Sequence, residues 1–158
     1  MRIVPTSNNI HLFTVEFLIL NEEDIDWEQL SDFKDRRFSL PEIRMFRKKI
    51  NWNLYVPNHV MSENEIDVAS KYFSEELIYK LPSMQELTEK IVRKFRNKIH
   101  WSLLLLKSKF PESFLLEMSS SWKDIGDEKL QTIFTSNRAM DIFDGNYESL
   151  LLYLNLKD

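Results

Sequence analysis

Apolar residues in this chain recur at three- and four-residue spacing inside short stretches, and polar turns separate one stretch from the next. The clearest stretch covers residues 39–50, where Ile43, Phe46 and Ile50 share one face of a helix. Ser39 suits the N-cap position, and a glutamate three residues later completes a capping-box pattern. This spacing predicts an amphipathic helix.

The end of this stretch occurs twice in the chain. Residues 43–52 are IRMFRKKINW and residues 92–101 are VRKFRNKIHW, so six of ten positions are identical and the second copy lies 49 residues after the first. An isoleucine, a polar residue and a tryptophan also end at Trp27, 25 residues before Trp52. A period of about 25 residues indicates stacked supersecondary units.

Two further stretches have helical spacing. Residues 62–81 and residues 83–99 each open on a serine capping box, and Pro82 is expected to end the first helix. Residues 53–58 are interpreted as a short connector that precedes them.

The region after these stretches indicates a third copy. Pro111 precedes Trp122 by eleven residues, the interval that also separates the proline from the tryptophan of the first copy. The repeat-like region is therefore placed at residues 18–122. Short helices are predicted in residues 123–158, where they would form a C-terminal helical cap.

Residues 10–20 admit two interpretations. A helix would place Phe13, Phe17 and Leu20 on one face, whereas β-branched residues such as Val15 favour a buried strand. Both interpretations stay open on the sequence alone.

The pattern as a whole predicts an all-α fold, a compact stack of short helical hairpin repeats with a strand at the N-terminus as the open alternative. A chain of 158 residues is expected to form a single domain, residues 1–158. Two glycines in the whole chain also favour helices over hairpin-rich β-structure, because tight hairpin turns often need glycine.

Large aromatic residues are predicted to form the structural core of the repeats. A short helix with a one-sided apolar face cannot bury that face alone, so an aromatic side chain beside it can join two neighbouring helices. Stacking on a nucleic-acid base or a ligand is the alternative role. The predicted core aromatics are Trp27, Phe46, Trp52, Phe95, Trp101 and Trp122.

Composition excludes several kinds of chemistry. The chain has no cysteine, which excludes disulfides, thiol nucleophiles and cysteine-ligated zinc and fits a cytoplasmic protein. No signal peptide is expected, and no apolar run approaches the length of a membrane span, about eighteen residues. The two isolated glycines exclude glycine-rich phosphate loops. No cofactor, metal or catalytic residue is predicted, and the chain is not expected to be an enzyme.

Two groups of residues are candidate metal ligands. The three histidines, at positions 11, 59 and 100, lie far apart in the sequence, so structural or surface roles are expected. Asp24, Asp26 and Glu28 alternate as the ligands of a magnesium site would, but a solvated acidic loop is the preferred interpretation.

Charge is unevenly distributed along the chain. The net charge is −4, yet basic residues cluster around both copies of the repeat. If the helices stack in parallel order, these residues form a ridge that attracts phosphate or an acidic protein surface. A solvated helix face is the alternative. The predicted partner-binding residues are Arg44, Arg47, Lys48, Arg93, Lys94 and Arg96.

The motif Ile-x-x-Phe-x-x-x-Ile-x-Trp resembles short Trp-containing helical repeats of uncharacterised tailed-phage and large-DNA-virus proteins. The similarity covers residues 18–122. It departs from the pattern between Trp52 and Trp101, where one expected tryptophan is missing and Phe73 or Leu77 is expected in its place.

This resemblance implies a viral origin and an action on a host protein. The expected function is that of a non-enzymatic protein-binding module, a phage-encoded inhibitor or antagonist of a host protease, enzyme or defence complex in the host cytoplasm. The alternative is a nucleic-acid-binding protein that uses the basic ridge. The sequence leaves a homodimer open.

Overall fold

The computed structural model describes residues 2–107, 110–122 and 125–126. Within them, the chain forms nine α-helices and three short 3-10 helices, and the only β-pairing is a single parallel bridge between Ile3 and Ile25. The all-α prediction is confirmed. The α-helices are α1 (Val15–Leu20), α2 (Trp27–Asp32), α3 (Leu40–Phe46), α4 (Trp52–Asn58), α5 (Glu63–Ala69), α6 (Glu75–Met84), α7 (Glu89–Phe95), α8 (Trp101–Lys107) and α9 (Glu112–Glu117).

The chain divides into two compact units, Met1–Ser74 and Glu75–Asp158. The single domain predicted for residues 1–158 stays a prediction. The predicted C-terminal cap, residues 123–158, lies outside the described residues except for positions 125 and 126.

Within each unit, a helix packs against the next helix but one along the chain. In the first unit, α2 packs against α4 and α3 packs against α5, so two sets of helices alternate along the chain. In the second unit, α6 packs against α8. Because these helices have only six to ten residues, packing rather than intrinsic propensity stabilises them.

A tryptophan closes the turn between two helices at three places. Trp27, Trp52 and Trp101 are each the first residue of a helix, and each indole Nε1 donates to the backbone carbonyl five residues earlier, at N···O distances of 2.9, 2.9 and 2.6 Å. We call each such segment a tryptophan turn.

The backbone of the two copies is also alike. In the first copy, the N–H groups of Lys49 and Ile50 donate to the carbonyl of Phe46 at 2.8 and 3.1 Å. In the second copy, the N–H groups of Lys98 and Ile99 donate to the carbonyl of Phe95 at the same two distances. The six identical residues therefore specify one local structure.

The proposed third copy has a different geometry. Trp122 follows a 3-10 helix, Ser119–Ser121, and its indole donates to the carbonyl of Leu115, seven residues earlier, at 3.1 Å. Pro111 is the N-cap of α9, whereas the proline of the first copy lies inside the first turn of α3.

The place of the missing tryptophan is taken by neither expected residue. The capping box of α5 lies 23 residues after that of α3, and this offset makes Glu75 the counterpart of Trp52. Phe73 instead corresponds to Ile50, and its ring lies 5.6 Å from the ring of Trp52.

Several predicted helix boundaries are wrong. Residues 53–58 form most of α4 rather than a connector, with Pro57 inside the helix. Residues 62–81 contain α5, a 3-10 helix and part of α6, and Pro82 lies inside α6. In both helices, tertiary packing outweighs the hydrogen bond that a proline removes.

The helix predicted to start at a cap at Ser83 begins later. Its N-cap is Thr88, and α7 starts at Glu89. Ser83 still belongs to α6, so its capping-box pattern is not used as a cap.

Residues 10–20 are helical, as one of the two interpretations proposed, but the helix is interrupted. A 3-10 helix covers Ile10–Leu12, and the Thr14 side chain then accepts a hydrogen bond from the N–H of Phe17 at 3.3 Å, so α1 begins at Val15. This register buries Leu18 and leaves Leu20, predicted to face inward, 82% exposed.

The six aromatic residues predicted for the core are all buried in the structure. In the first unit, the ring of Trp27 lies 5.0 Å from that of Phe46 and 6.4 Å from that of Phe38. The hydroxyl of Tyr55 accepts a hydrogen bond from the N–H of Phe38 at 2.9 Å, which satisfies both buried groups.

Replacing Phe46 by alanine should lower the free energy of unfolding by about 3–5 kcal/mol, because its side chain is 1% exposed and the substitution leaves a cavity. The adjacent Met45 is 53% exposed, so Met45→Ala should cost about 0.5 kcal/mol or less. Urea denaturation of both variants checks the difference, and equal midpoints would contradict the packing described here.

Replacing Trp52 by phenylalanine should cost about 1–3 kcal/mol, because the carbonyl of Arg47 loses its indole donor while most of the ring volume is kept. Trp101→Phe removes the equivalent bond and should cost a similar amount. Tyr79→Phe, at a residue that is 47% exposed, is the control. Thermal melts of Trp52→Phe that coincide with wild type would show that the hydrogen bond is not needed.

Candidate functional site

Three segments that connect helices of the first unit contact one another in sequence. They are residues 22–24 (the first turn), 47–49 (the second turn) and 70–72 (the third turn). Lys49 Nζ in the second turn is 2.8 Å from a carboxylate oxygen of Glu23 and 3.7 Å from one of Glu22, both in the first turn. The Arg47 guanidinium lies over the ring of Tyr72 in the third turn, 5.7 Å from its centroid. We call residues 22–24, 47–49 and 70–72 together the turn edge.

The charge of the turn edge changes from one turn to the next. The first turn is Glu22-Glu23-Asp24, and the second is Arg47-Lys48-Lys49. The hydrogen bond with Glu23 raises the pKa of Lys49 above its ordinary value, because the carboxylate favours the charged ammonium. Lys49 is therefore paired within the chain, whereas Arg47 and Lys48 have no ion pair among the residues that the structure describes.

Three of the predicted partner-binding residues lie at the C-terminal end of α3. Arg44 is in its last turn, Arg47 is its C-cap and Lys48 follows, and all three are exposed. The negative end of the helix dipole favours nearby cations, which gives these positions a local stabilising effect. Within the described part of the chain, no carboxylate lies within ion-pair distance of any of the three.

The other three predicted residues lie at the end of α7 and are also exposed. Arg93 makes a bidentate ion pair with Glu117, with Nε–Oε1 and Nη2–Oε2 distances of 3.1 and 2.8 Å, and a second ion pair with Glu89 at 3.2 Å. Its guanidinium also lies 4.8 Å from the ring centroid of Phe114. Arg93 thus connects α7 to α9.

Lys94 and Arg96 complete this second group. The Lys94 ammonium lies 5.4 Å from the ring centroid of Phe95, on its own helix. The backbone carbonyl of Arg96 accepts the indole hydrogen bond of Trp101, while its side chain has no ion pair among the residues described. Because the two groups belong to separate units, a ridge that joins them stays a prediction.

Two arginines that precede the first copy, Arg36 and Arg37, have a structural role. Arg36 donates to the carbonyl of Phe13 at 3.1 and 3.3 Å and forms an ion pair with Glu42. Arg37 forms an ion pair with Glu65 at 2.9 Å. These bonds hold residues 36 and 37 against the starts of α3 and α5.

The carboxylates of Glu42 and Glu65 are buried, with 4% and 6% of each residue exposed. Burial acts to raise the pKa of both, but hydrogen bonds from the arginines and from the serines of the capping boxes hold each pKa below its ordinary value of 4.5. The capping boxes were visible in the sequence, but the paired arginines were not, since no local spacing links residue 37 to residue 65.

An open cleft of about 580 Å³ lies beside the Arg36–Glu42 pair. Its lining includes Phe13, Glu16 and Asp35. The guanidinium of Arg36 is already hydrogen-bonded inside the chain, so it is not available to a ligand in the cleft.

Two of the residues considered as metal ligands, Asp26 and His59, have structural contacts. Asp26 caps α2 by accepting a hydrogen bond from the N–H of Gln29 at 3.1 Å. The ring of His59 stacks on that of Tyr55 at 4.2 Å. Across the described ranges, no three histidine, aspartate or glutamate side chains are grouped to hold a metal ion, and no helix is long and apolar enough to cross a membrane.

These features define a helical protein whose first unit presents a charged turn edge. No protein-family model matches the chain, and no curated protein or solved structure matches it significantly.

The two lowered carboxylate pKa values predict that stability falls in acid. Since the folded-state pKa lies below the unfolded value, the stabilisation is present above about pH 4.5 and is lost as pH falls through the folded-state pKa. Glu65→Gln should lower the free energy of unfolding by about 1–3 kcal/mol at pH 7. It should also reduce the loss of stability that occurs as the pH falls below about 5.

Denaturation at a series of pH values measures this effect, with exposed Glu86→Gln as the control. If wild type and Glu65→Gln show the same pH dependence, the Arg37–Glu65 pair does not contribute as the structure indicates.

Proposed function

We propose that this chain is a non-enzymatic protein-binding module that inhibits or antagonises a partner protein. The observation that carries the proposal is the division of the arginines into two sets. Arg36, Arg37 and Arg93 pair with carboxylates of the chain, whereas Arg44 and Arg47 are exposed without such a pair among the described residues. Arginine is enriched at the centres of protein interfaces.

The buried carboxylates also support a binding role over an enzymatic one. Glu42 and Glu65 are each held by an arginine and a capping serine, so their oxygens are used to stabilise helix starts. Surface residues that packing does not require are free to contact a partner.

The proposal extends to a phage-encoded antagonist of a host protease, enzyme or defence complex in the host cytoplasm. Its support is the resemblance of the repeat motif to Trp-containing repeats of phage and large-virus proteins. Such a module acts by occupying a surface of its target.

A nucleic-acid-binding protein is the second candidate, since exposed arginines also attract phosphate. The salt dependence of binding distinguishes this candidate from a protein-binding module. If several phosphates are contacted, affinity falls steeply as the salt concentration rises, because counterions are released on binding. A steep salt dependence on single-stranded or duplex DNA would favour this candidate.

Reversing the charge of Arg47 and Arg96 together should weaken binding to the partner at least tenfold, about 1.4 kcal/mol, and leave the melting temperature nearly unchanged. Both side chains are exposed and outside the ion pairs of the structure. The partner is first captured by cross-linking and pull-down from host lysate, and its affinity is then measured by calorimetry.

The control variant is Lys34→Glu with Lys80→Glu, which changes the net charge equally at exposed positions outside the predicted partner-binding residues. A double arginine variant that binds as well as wild type would make the basic residues a solvated face. Recovery of no stoichiometric protein from several hosts would count against the module itself.

A further inference from the structure

We propose that the first copy of the repeat alone forms the contact surface, and that it recognises a short acidic segment of a protein. This inference rests on the proposed function. The surface consists of Arg44, Met45, Arg47, Lys48 and Tyr72, and we call it the α3 patch.

The two copies differ first in what their matching arginines contact. Arg44 and Arg93 occupy the same position of the repeat, 49 residues apart. Arg93 is held by Glu117 and Glu89, whereas Arg44 has no ion pair in the described part of the chain. A partner carboxylate that approached Arg93 would have to displace a bidentate pair, and one that approached Arg44 would not.

The second difference is the apolar surface between the cations. Met45 is 53% exposed, and the matching position of the second copy is Lys94. Arg47 lies over the half-buried ring of Tyr72, while Arg96 has no aromatic ring beneath it among the residues described. Among the described residues, only the first copy therefore offers cations together with an exposed thioether and a half-buried aromatic side chain, a combination typical of protein interfaces.

The third observation concerns the charges that flank the α3 patch. Lys49, the residue after Lys48, is paired with Glu22 and Glu23, whose side chains are 40% and 86% exposed. An extended polyanion that followed the turn edge would meet these carboxylates within about one Debye length, 8–10 Å. A short segment with a few carboxylates and an apolar residue would avoid them.

This charge complementarity assigns the ligand to an acidic peptide segment rather than a nucleic-acid backbone. The planar guanidinium of Arg44 suits bidentate pairing with a carboxylate, and Lys48 adds a point charge. An apolar side chain of the segment would contact Met45 or Tyr72.

The probe for this site is a short synthetic peptide of glutamates and leucines, titrated into the full chain labelled for amide NMR. We expect shifts at the amides of Arg44, Met45, Lys48 and Tyr72. The matched peptide, with glutamine in place of every glutamate, should not bind.

Two triple variants test the assignment to one copy. Arg44→Gln, Arg47→Gln and Lys48→Gln together should weaken peptide binding at least tenfold. Arg93→Gln, Lys94→Gln and Arg96→Gln together should leave it within about twofold. Amide spectra and melts verify that each variant is folded. If a triple variant does not fold, Arg47→Gln alone should still give part of the loss of peptide binding.

Equal losses in both triple variants would overturn the assignment to the first copy, and no loss in either would overturn the α3 patch. Single-stranded DNA that shifts the same amides with a steep salt dependence would overturn the choice of an acidic peptide. These failures differ from failure of the proposed function. A lysate partner that wild type and the first triple variant bind equally leaves the module standing and removes only the patch.

Discussion

The hydrogen bond from a tryptophan indole to the carbonyl five residues earlier is the interaction on which the rest of the fold depends. The helices have six to ten residues and are too short to be stable alone. The carbonyls at each helix end need donors, and Arg47 and Arg96 receive theirs from Trp52 and Trp101. The same side chain buries its ring between helices, so one residue both closes the turn and joins neighbouring helices.

A closed turn also decides which side chains reach the solvent. Phe46 and Ile50, at the two ends of the second turn, point into the core, and the residues between them are directed outward. Lys49 is used to join this turn to the preceding one, and Arg47 lies on Tyr72 of the next. The edge that is available to a partner is thus a consequence of how the turns are closed.

The all-α fold and the burial of the repeated aromatic residues follow from periodicity, because a three- and four-residue spacing has few other structural solutions. Helix ends were harder to predict. Pro57 and Pro82 are strong local stop signals that packing overrides, and the exposure of Leu20 depends on a cap at Thr14 that shifts the helix register. The Arg37–Glu65 pair joins residues 28 positions apart, and no local pattern contains that information.

Six identical residues out of ten give the two copies one backbone, yet they do not give them one surface. What separates Arg93 from Arg44 is Glu117 on α9, outside the ten repeated residues, and Glu89, whose counterpart in the first copy is Leu40. Met45 and Lys94 occupy the same position of the repeat, and the turn does not constrain this position because both side chains project away from the core. Packing maintains the residues that close the turn, and the neighbours of each copy decide how its exposed cations are used. In a protein built from repeats, an interaction surface therefore has to be assigned copy by copy, from the contacts of each side chain.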